Sequence, residues 1–405
     1  MEKYWINLYP EVFLWLKNGD GLIYNAKEGV GFQFKSTGRI DKICRDLLTD
    51  TNLYTTELDN EDLLDVEVQN LMRSVTKIKA GCMIDGTMKR PVSLFPAIKI
   101  QDDISFLISK HKIGEGGSII KNIHELTFYL NGSEWGSDIY FLQTIFPLKT
   151  SSQPEPQKIL SFINNSRNFY LSNINWVGDF FSYPQMNELF TGLQSFNNQN
   201  TWMMKSEDFL RNIDQIEKIT WPPRTVFTLL VERYADLDLL STCLSVIQFP
   251  VSISCLVFSE RDLNFVIKKS QQEVFCDKLR IIPIYKDNDD FFKKNVYLNS
   301  DDLLESILTK KEIFIRQALN INYFGKLIVF SDGNVYANVH EPLLGTINDS
   351  PYSIVYKEIT EGKSWFRTRR LAPCNDCIYQ WLCPSPSNYE TMIGRTNLCH
   401  VSDSK

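Results

Sequence analysis

The sequence predicts an α/β protein centred on an open, partial (βα)6 barrel. A small strand-and-helix unit precedes the barrel and a cysteine-bearing module follows it. Three observations carry this reading. From about residue 120, apolar strand-like runs alternate with segments of helical spacing, the pattern of a parallel sheet built from βα units. Pro154, Pro184 and Pro222-Pro223 fall between those elements, where proline interrupts no hydrogen-bond ladder. Four of the nine cysteines crowd between Cys374 and Cys399, whereas none occurs between Cys82 and Cys243.

At 405 residues the chain is too long for one small core and accommodates two or three domains. A hydrophobic content of 43% with 23% charged residues is ordinary for a folded protein, and 26 Phe and 17 Tyr provide for substantial cores. The net charge of −6 argues against nucleic acid as a partner, because phosphate binding relies on clustered Lys and Arg. Arg367, Arg369 and Arg370 form only a short run, read as a solvated face. The first residues contain Asn7, Pro10, Glu11 and Lys17 where a signal peptide has an unbroken apolar stretch, and no run reaches membrane-spanning length. The expectation is a cytoplasmic protein with no membrane contact, its cysteines reduced, buried or metal-bound.

Residues 1–90 hold strand-like runs at 12–16, 22–25 and 30–35, with turns at 18–21 and 28–29. Phe32 and Phe34 alternate with Gln33 and Lys35 in the period of a half-buried strand. Thr37 stands at an N-cap position before Ile40, Ile43, Leu47 and Leu48, and a second helix is expected over 62–79 with Val68, Leu71, Met72 and Val75 on one face. This order of strands and helices resembles the PqqD-like peptide-recognition domain, a winged-helix fold to which a leader peptide adds as an extra strand. The resemblance implies a peptide site at Gly31, Phe32, Gln33 and Phe34 of the edge strand, flanked by Val68, Leu71 and Val75. An open edge offers unpaired N–H and C=O groups, which is what strand addition requires. The alternative is that the same apolar residues simply fill the core of a small unit.

Residues 91–119 read as a linker, with 114–117 (GEGG) a connector that lacks the Lys-Ser/Thr of a phosphate loop. Over 120–310, strands are expected at 125–130, 175–180, 201–204, 225–231, 252–258 and 280–285. Helices are expected at 157–167, 185–196, 207–219, 237–247 and 262–270. The arrangement resembles the radical S-adenosylmethionine (SAM) superfamily, whose members carry C-x3-C-x2-C in the loop after the first strand. Here that loop, residues 131–138, contains no cysteine. Ser133, Glu134 and Asp138 are poor substitutes for thiolates on iron, so the chain is not expected to bind SAM or to be a radical SAM enzyme by itself. Isolated Cys243, Cys255 and Cys276 read as buried structural residues. The four histidines are scattered, and no other catalytic constellation emerges.

Residues 311–405 carry Cys374-x2-Cys377-x5-Cys383-x15-Cys399. A C-x2-C pair reaches one metal from a single turn and the later two close the sphere, so four thiolates satisfy tetrahedral zinc or an iron–sulfur cubane. Spacing alone leaves both open. The runs 330–336 and 344–347 resemble the hairpin and following segment of the SPASM auxiliary-cluster domain, and C-x2-C-x5-C resembles its distal motif. Asn338 and Ser387 stand where that family usually has cysteines of a second cluster. Residues 373–390 and 397–400 closely resemble pseudo-radical-SAM proteins of Bacteroidales peptide-modification systems. That resemblance implies a non-catalytic subunit that binds a precursor's leader peptide and pairs with an active radical SAM maturase in a heterodimer. It also implies one [4Fe-4S] cluster on Cys374, Cys377, Cys383 and Cys399. The alternative is a zinc-stapled peptide- or protein-binding protein without such a partner.

Overall fold

A computed structural model describes residues 3–98, 104–112, 114, 116–131, 138–148, 152–244 and 247–401. Ser133 and Glu134 of the cysteine-free loop lie outside the described residues, as does the side chain of Asp138.

The first unit contains two three-stranded antiparallel sheets. One joins β2 (Val12–Lys17), β3 (Asp20–Asn25) and β4 (Val30–Lys35) in that spatial order. Asn18 and Gly19, both at positive φ, turn the chain between β2 and β3 in the left-handed geometry that suits a tight hairpin. The second sheet centres on β1 (Tyr4–Leu8), flanked by β5 (Thr55–Leu58) and β6 (Gly81–Asp85). None of its strands was expected, because each is four or five residues long and pairs with partners far away in the chain. Helix Gly38–Leu48 begins after Thr37, whose side chain makes no capping bond. The expected second helix is split at Asp65, which ends Asn60–Leu64 and caps Val66–Lys77 by accepting from the Glu67 and Val68 amides. Ile40, Ile43, Leu47, Val68, Leu71 and Val75 pack with Ile6, Leu8, Val12, Leu14 and Ile23 into one core.

The stretch read as a linker contains a helix, Ile104–Lys112, whose His111 stacks on Tyr356 at a 3.8 Å centroid distance. Beyond it lies a nine-stranded sheet. Its parallel strands are β7 (Glu125–Tyr129), β8 (Asn173–Val177), β9 (Gln199–Lys205), β10 (Thr225–Val231), β11 (Val251–Val257) and β12 (Leu279–Pro283), side by side in chain order. Every one of the expected strands is present within a few residues. The free edge of β7 takes a seventh parallel strand, β13 (Lys326–Val329), followed by antiparallel β14 (Asn334–Tyr336) and β15 (Gly345–Thr346). The C-terminal hairpin thus continues the central sheet.

One face of the sheet is organised by an aromatic ladder. Phe128, Trp176, Trp202 and Phe227 occupy matching register positions on β7 to β10. Successive rings stack, Phe128 on Trp176 at 5.2 Å and Trp176 on Trp202 at 5.2 Å and 15°. Trp221 closes on Trp202 and Phe227 edge-on. The indole N–H groups are satisfied by Asn200 Oδ1 (3.0 Å) and Thr225 Oγ1 (3.3 Å), so burial leaves no orphan donor there.

Trp202 touches four other rings, so Trp202→Ala removes the centre of the ladder. Urea unfolding should show a loss of about 3–5 kcal/mol, the range for large aromatic truncations in a core.

Candidate metal and peptide site

The β2–β3–β4 sheet is buried on both sides, and its side chains alternate between two cores. Val12, Leu14 and Ile23 point to the helices of the first unit, with Phe32 and Phe34 packed against the same core. Phe13, Leu22 and Tyr24 point the other way, onto Leu303, Leu308, Ile313, Phe314, Ile378, Tyr379 and Leu382. Two buried faces explain why β2 and β3 read as continuous apolar runs rather than alternating ones.

Polar contacts pin the same seam. Tyr24 Oη donates to Ser306 O (2.7 Å) and accepts from the Leu308 amide (2.8 Å). Lys17 Nζ donates to Gln380 Oε1 (2.7 Å) and to Asn375 O, and Tyr379 Oη donates to Gln33 Oε1 (2.8 Å). Asn375, Tyr379 and Gln380 all lie between Cys374 and Cys383, so the cysteine loop rests directly on the N-terminal sheet.

Cys374 opens a short 3-10 turn, Cys374–Asp376, which delivers Cys377. Cys399 forms a single parallel bridge with Leu298. The Cys374, Cys383 and Cys399 thiols lie close enough to influence one another's charge. Burial raises the Cys374 thiol and pushes Cys383 up to about 12, with Arg369 opposing both shifts. Arg369 Nη1 approaches Cys374 Sγ at 3.9 Å, and Asn397 Nδ2 donates to Cys399 Sγ at 3.3 Å. Cys377 faces a smaller hollow of ≈ 300 Å³ that it shares with Gln33, Lys35 and Tyr379.

Arg369 corrects the expectation of a solvated arginine run. Its side chain is 7% exposed and pairs with Glu390, itself 2% exposed, at 2.7 Å. Burial lowers the guanidinium pKa, but Cys383, Glu390 and Cys374 outweigh that and hold it above its ordinary value. A buried charge persists only with such partners. Arg367 keeps to the surface, bonding Thr391, and Arg370 reaches Gln317 O.

Asn338 and Ser387, the positions where the resemblance expects further cysteines, are both structural. Asn338 is buried and donates to Asn388 Oδ1 at 2.9 Å, while Ser387 caps helix Asn388–Ile393 in a reciprocal box with Glu390.

The neighbouring Cys374, Cys383 and Cys399 thiols, with N–H donors aimed at two of the sulfurs and a buried guanidinium beside them, are chemically suited to a thiolate-held, anionic group, whereas Cys377 faces the hollow shared with Gln33 and Tyr379. Among the described residues, no group of three or more His, Cys, Asp or Glu side chains is already arranged to hold a metal ion.

The expected peptide residues divide. Gly31, Phe32, Gln33 and Phe34 lie on β4, which among the described residues pairs only with β3 and so forms a sheet edge. Val68, Leu71 and Val75 are 1%, 4% and 0% exposed and are occupied in the core of the first unit. Of the isolated cysteines, Cys255 is buried as expected, Cys243 is half-buried, and Cys276 is exposed at the end of the turn Glu273–Phe275. Sequence reasoning missed Lys17, Tyr24, Arg369 and Glu390. Only the E of the S-x-x-E capping box at Ser387–Glu390 carried a local signal.

No family model matches this sequence, and no curated protein matches it either. Among solved structures the chain is similar to Streptococcus suis SuiB bound to precursor peptide SuiA, at 9% identity over 98% of this chain and 99% of that one, with a TM-score of 0.45. It is also similar to SuiB bound to S-adenosylmethionine, at 9% identity over 96% and 97% with a TM-score of 0.46. A third is histidine-tagged anSMEcpe with bound AdoMet, at 12% identity over 64% and 87% with a TM-score of 0.40. Among the described residues no helix is long and apolar enough to cross a membrane.

Two outcomes are expected. Glu390→Ala strands a buried guanidinium and should cost about 3–5 kcal/mol in denaturant unfolding, with Arg369→Met in the same chain restoring much of it. In alkylation by iodoacetamide at pH 8, exposed Cys276 should react first. Cys44 and Cys255, each pushed up to about 12 mainly by burial, should stay unmodified until the protein unfolds, as peptide mass mapping would show.

Proposed function

We propose that this chain is a non-catalytic partner subunit in the maturation of a ribosomally synthesised peptide. It binds the precursor's leader along the β4 edge, pairs with an active radical SAM maturase, and carries one [4Fe-4S] cluster on Cys374, Cys377, Cys383 and Cys399. The observation that carries the proposal is the four-cysteine loop seated on the N-terminal sheet, combined with a first-strand loop that has no cysteine.

The chain's own residues have definable parts in this reading. The β4 backbone from Gly31 to Phe34 offers the edge, and Val68, Leu71 and Val75 share the core against which Phe32 and Phe34 pack. Arg369 and Asn397 direct N–H groups at cysteine sulfurs, the kind of contact that stabilises ligated thiolates and tunes a cluster's potential. When bound, the cluster would supply a structural staple or an electron relay. With all four cysteines as ligands, no iron is left open for substrate. Support for the peptide role is the resemblance of residues 1–90, together with β4 standing at an edge of its sheet.

Anaerobic purification decides between cluster and zinc. Four irons and four sulfides per chain in a brown protein are expected, and zinc without sulfide would instead establish the zinc-stapled binding protein. Co-expression with a radical SAM maturase encoded beside it should yield a one-to-one complex. In that complex, Cys377→Ala should abolish cluster loading; unchanged turnover at equal complex concentration would remove the relay role. A chain that binds neither maturase nor precursor would sink the proposal.

A further inference from the structure

A large apolar hollow lies away from the cysteine loop. A cavity of ≈ 940 Å³ lies between helix Lys310–Ala318, the segment that follows it, residues Ala97 and Ile98, and His124. Phe314, Ile315, Leu319, Ile321 and Phe324 line it. The apolar surface continues outward. Phe324 packs against His124, His124 against Tyr170 (6.0 Å each), and Tyr170 against Phe169 (5.5 Å). Phe169 is 96% exposed and Ile321 is 44% exposed. His124, Tyr170 and Phe324 precede β7, β8 and β13, so the stripe runs along the amino ends of the parallel strands. Ligand crevices of such sheets form at the opposite, carboxyl ends. The stripe is therefore separate from any chemistry there, and it lies outside the proposed cluster and leader sites.

Two lysines stand at the rim. Lys310 is paired with Glu11 at 3.3 Å. Lys311 has no carboxylate partner among the described residues. A charge held beside an open apolar trough selects an occupant with the opposite charge and an apolar face. The trough runs on from the cavity across two further rings, Tyr170 and Phe169, which suits a length of chain better than a small molecule. We propose that the cavity and its aromatic stripe dock an acidic amphipathic peptide segment of a partner protein, with apolar side chains entering between Phe314 and Phe324 and a carboxylate meeting Lys311.

The probe is a fluorescein-labelled synthetic helix with Leu and Phe at i, i+3, i+4 and i+7 and Glu elsewhere. Its charge-reversed twin carries Lys in place of Glu, and dodecanoate serves as a small competitor. Fluorescence anisotropy with the full chain should show binding of the acidic helix and much weaker binding of the basic one. Lys311→Glu should weaken the acidic helix by about tenfold, and Phe169→Ala should weaken it with no change in thermal unfolding. Equal binding of the two helices overturns the charge assignment. Indifference to Phe169→Ala overturns the stripe. Binding of dodecanoate alone, or of no probe, overturns the proposal as a whole.

Discussion

The arrangement depends on one constraint, the double burial of the β2–β3–β4 sheet. A three-stranded sheet with a single covered face is marginal, and its second face must find a partner. Here Phe13, Leu22 and Tyr24 find it in residues 303–382, so the first and last parts of the chain share a core. At about 25 cal/mol per Å² of apolar surface, burying those large side chains outweighs what the seam's few hydrogen bonds contribute. The bonds of Lys17, Tyr24 and Tyr379 fix orientation within a contact that the apolar side chains create.

Within that seam the electrostatics are closed rather than open. Cys374, Cys383, Glu390, Arg316 and Arg369 lie close enough to influence one another in a poorly hydrated volume, where the Arg369 and Glu390 charges require each other. Arg316 is held down chiefly by burial, whereas Arg369 is held up by sulfur and carboxylate. Asn338, Asn388 and Tyr323 form a neutral hydrogen-bonded cluster at the place where the resemblance expects a second set of cysteines. Polar side chains that satisfy one another need no metal to be stable when buried.

The six parallel strands were legible because each carries an apolar or aromatic stretch and they recur in alternation with segments of helical spacing. β1, β5 and β6 were not, since Tyr4–Leu8 and Thr55–Leu58 mix polar and apolar residues and gain their pairing only from distant partners. Spacing alone draws attention to the four cysteines, and not to what they hold. The Arg369–Glu390 pair could not be read this way, because nothing local distinguishes a buried arginine from its half-buried neighbour Arg367 and its exposed neighbour Arg370. Val68, Leu71 and Val75 carried a correct helical stripe, but periodicity says only that a face is covered and not by what. Here it is covered by the unit's own sheet.

The shared core also bears on how the protein is made. Tyr24 meets Ser306, and Lys17 meets Gln380, across separations of 282 and 363 residues. A chain emerging from the ribosome can complete the β2–β3–β4 hairpins early, yet their outer face has no cover until almost the whole polypeptide has been synthesised. Throughout elongation, Phe13, Leu22 and Tyr24 present a sticky surface, a natural binding site for a chaperone. Truncation before residue 303 would leave the outer face of the β2–β3–β4 sheet without the cover it has in the full chain.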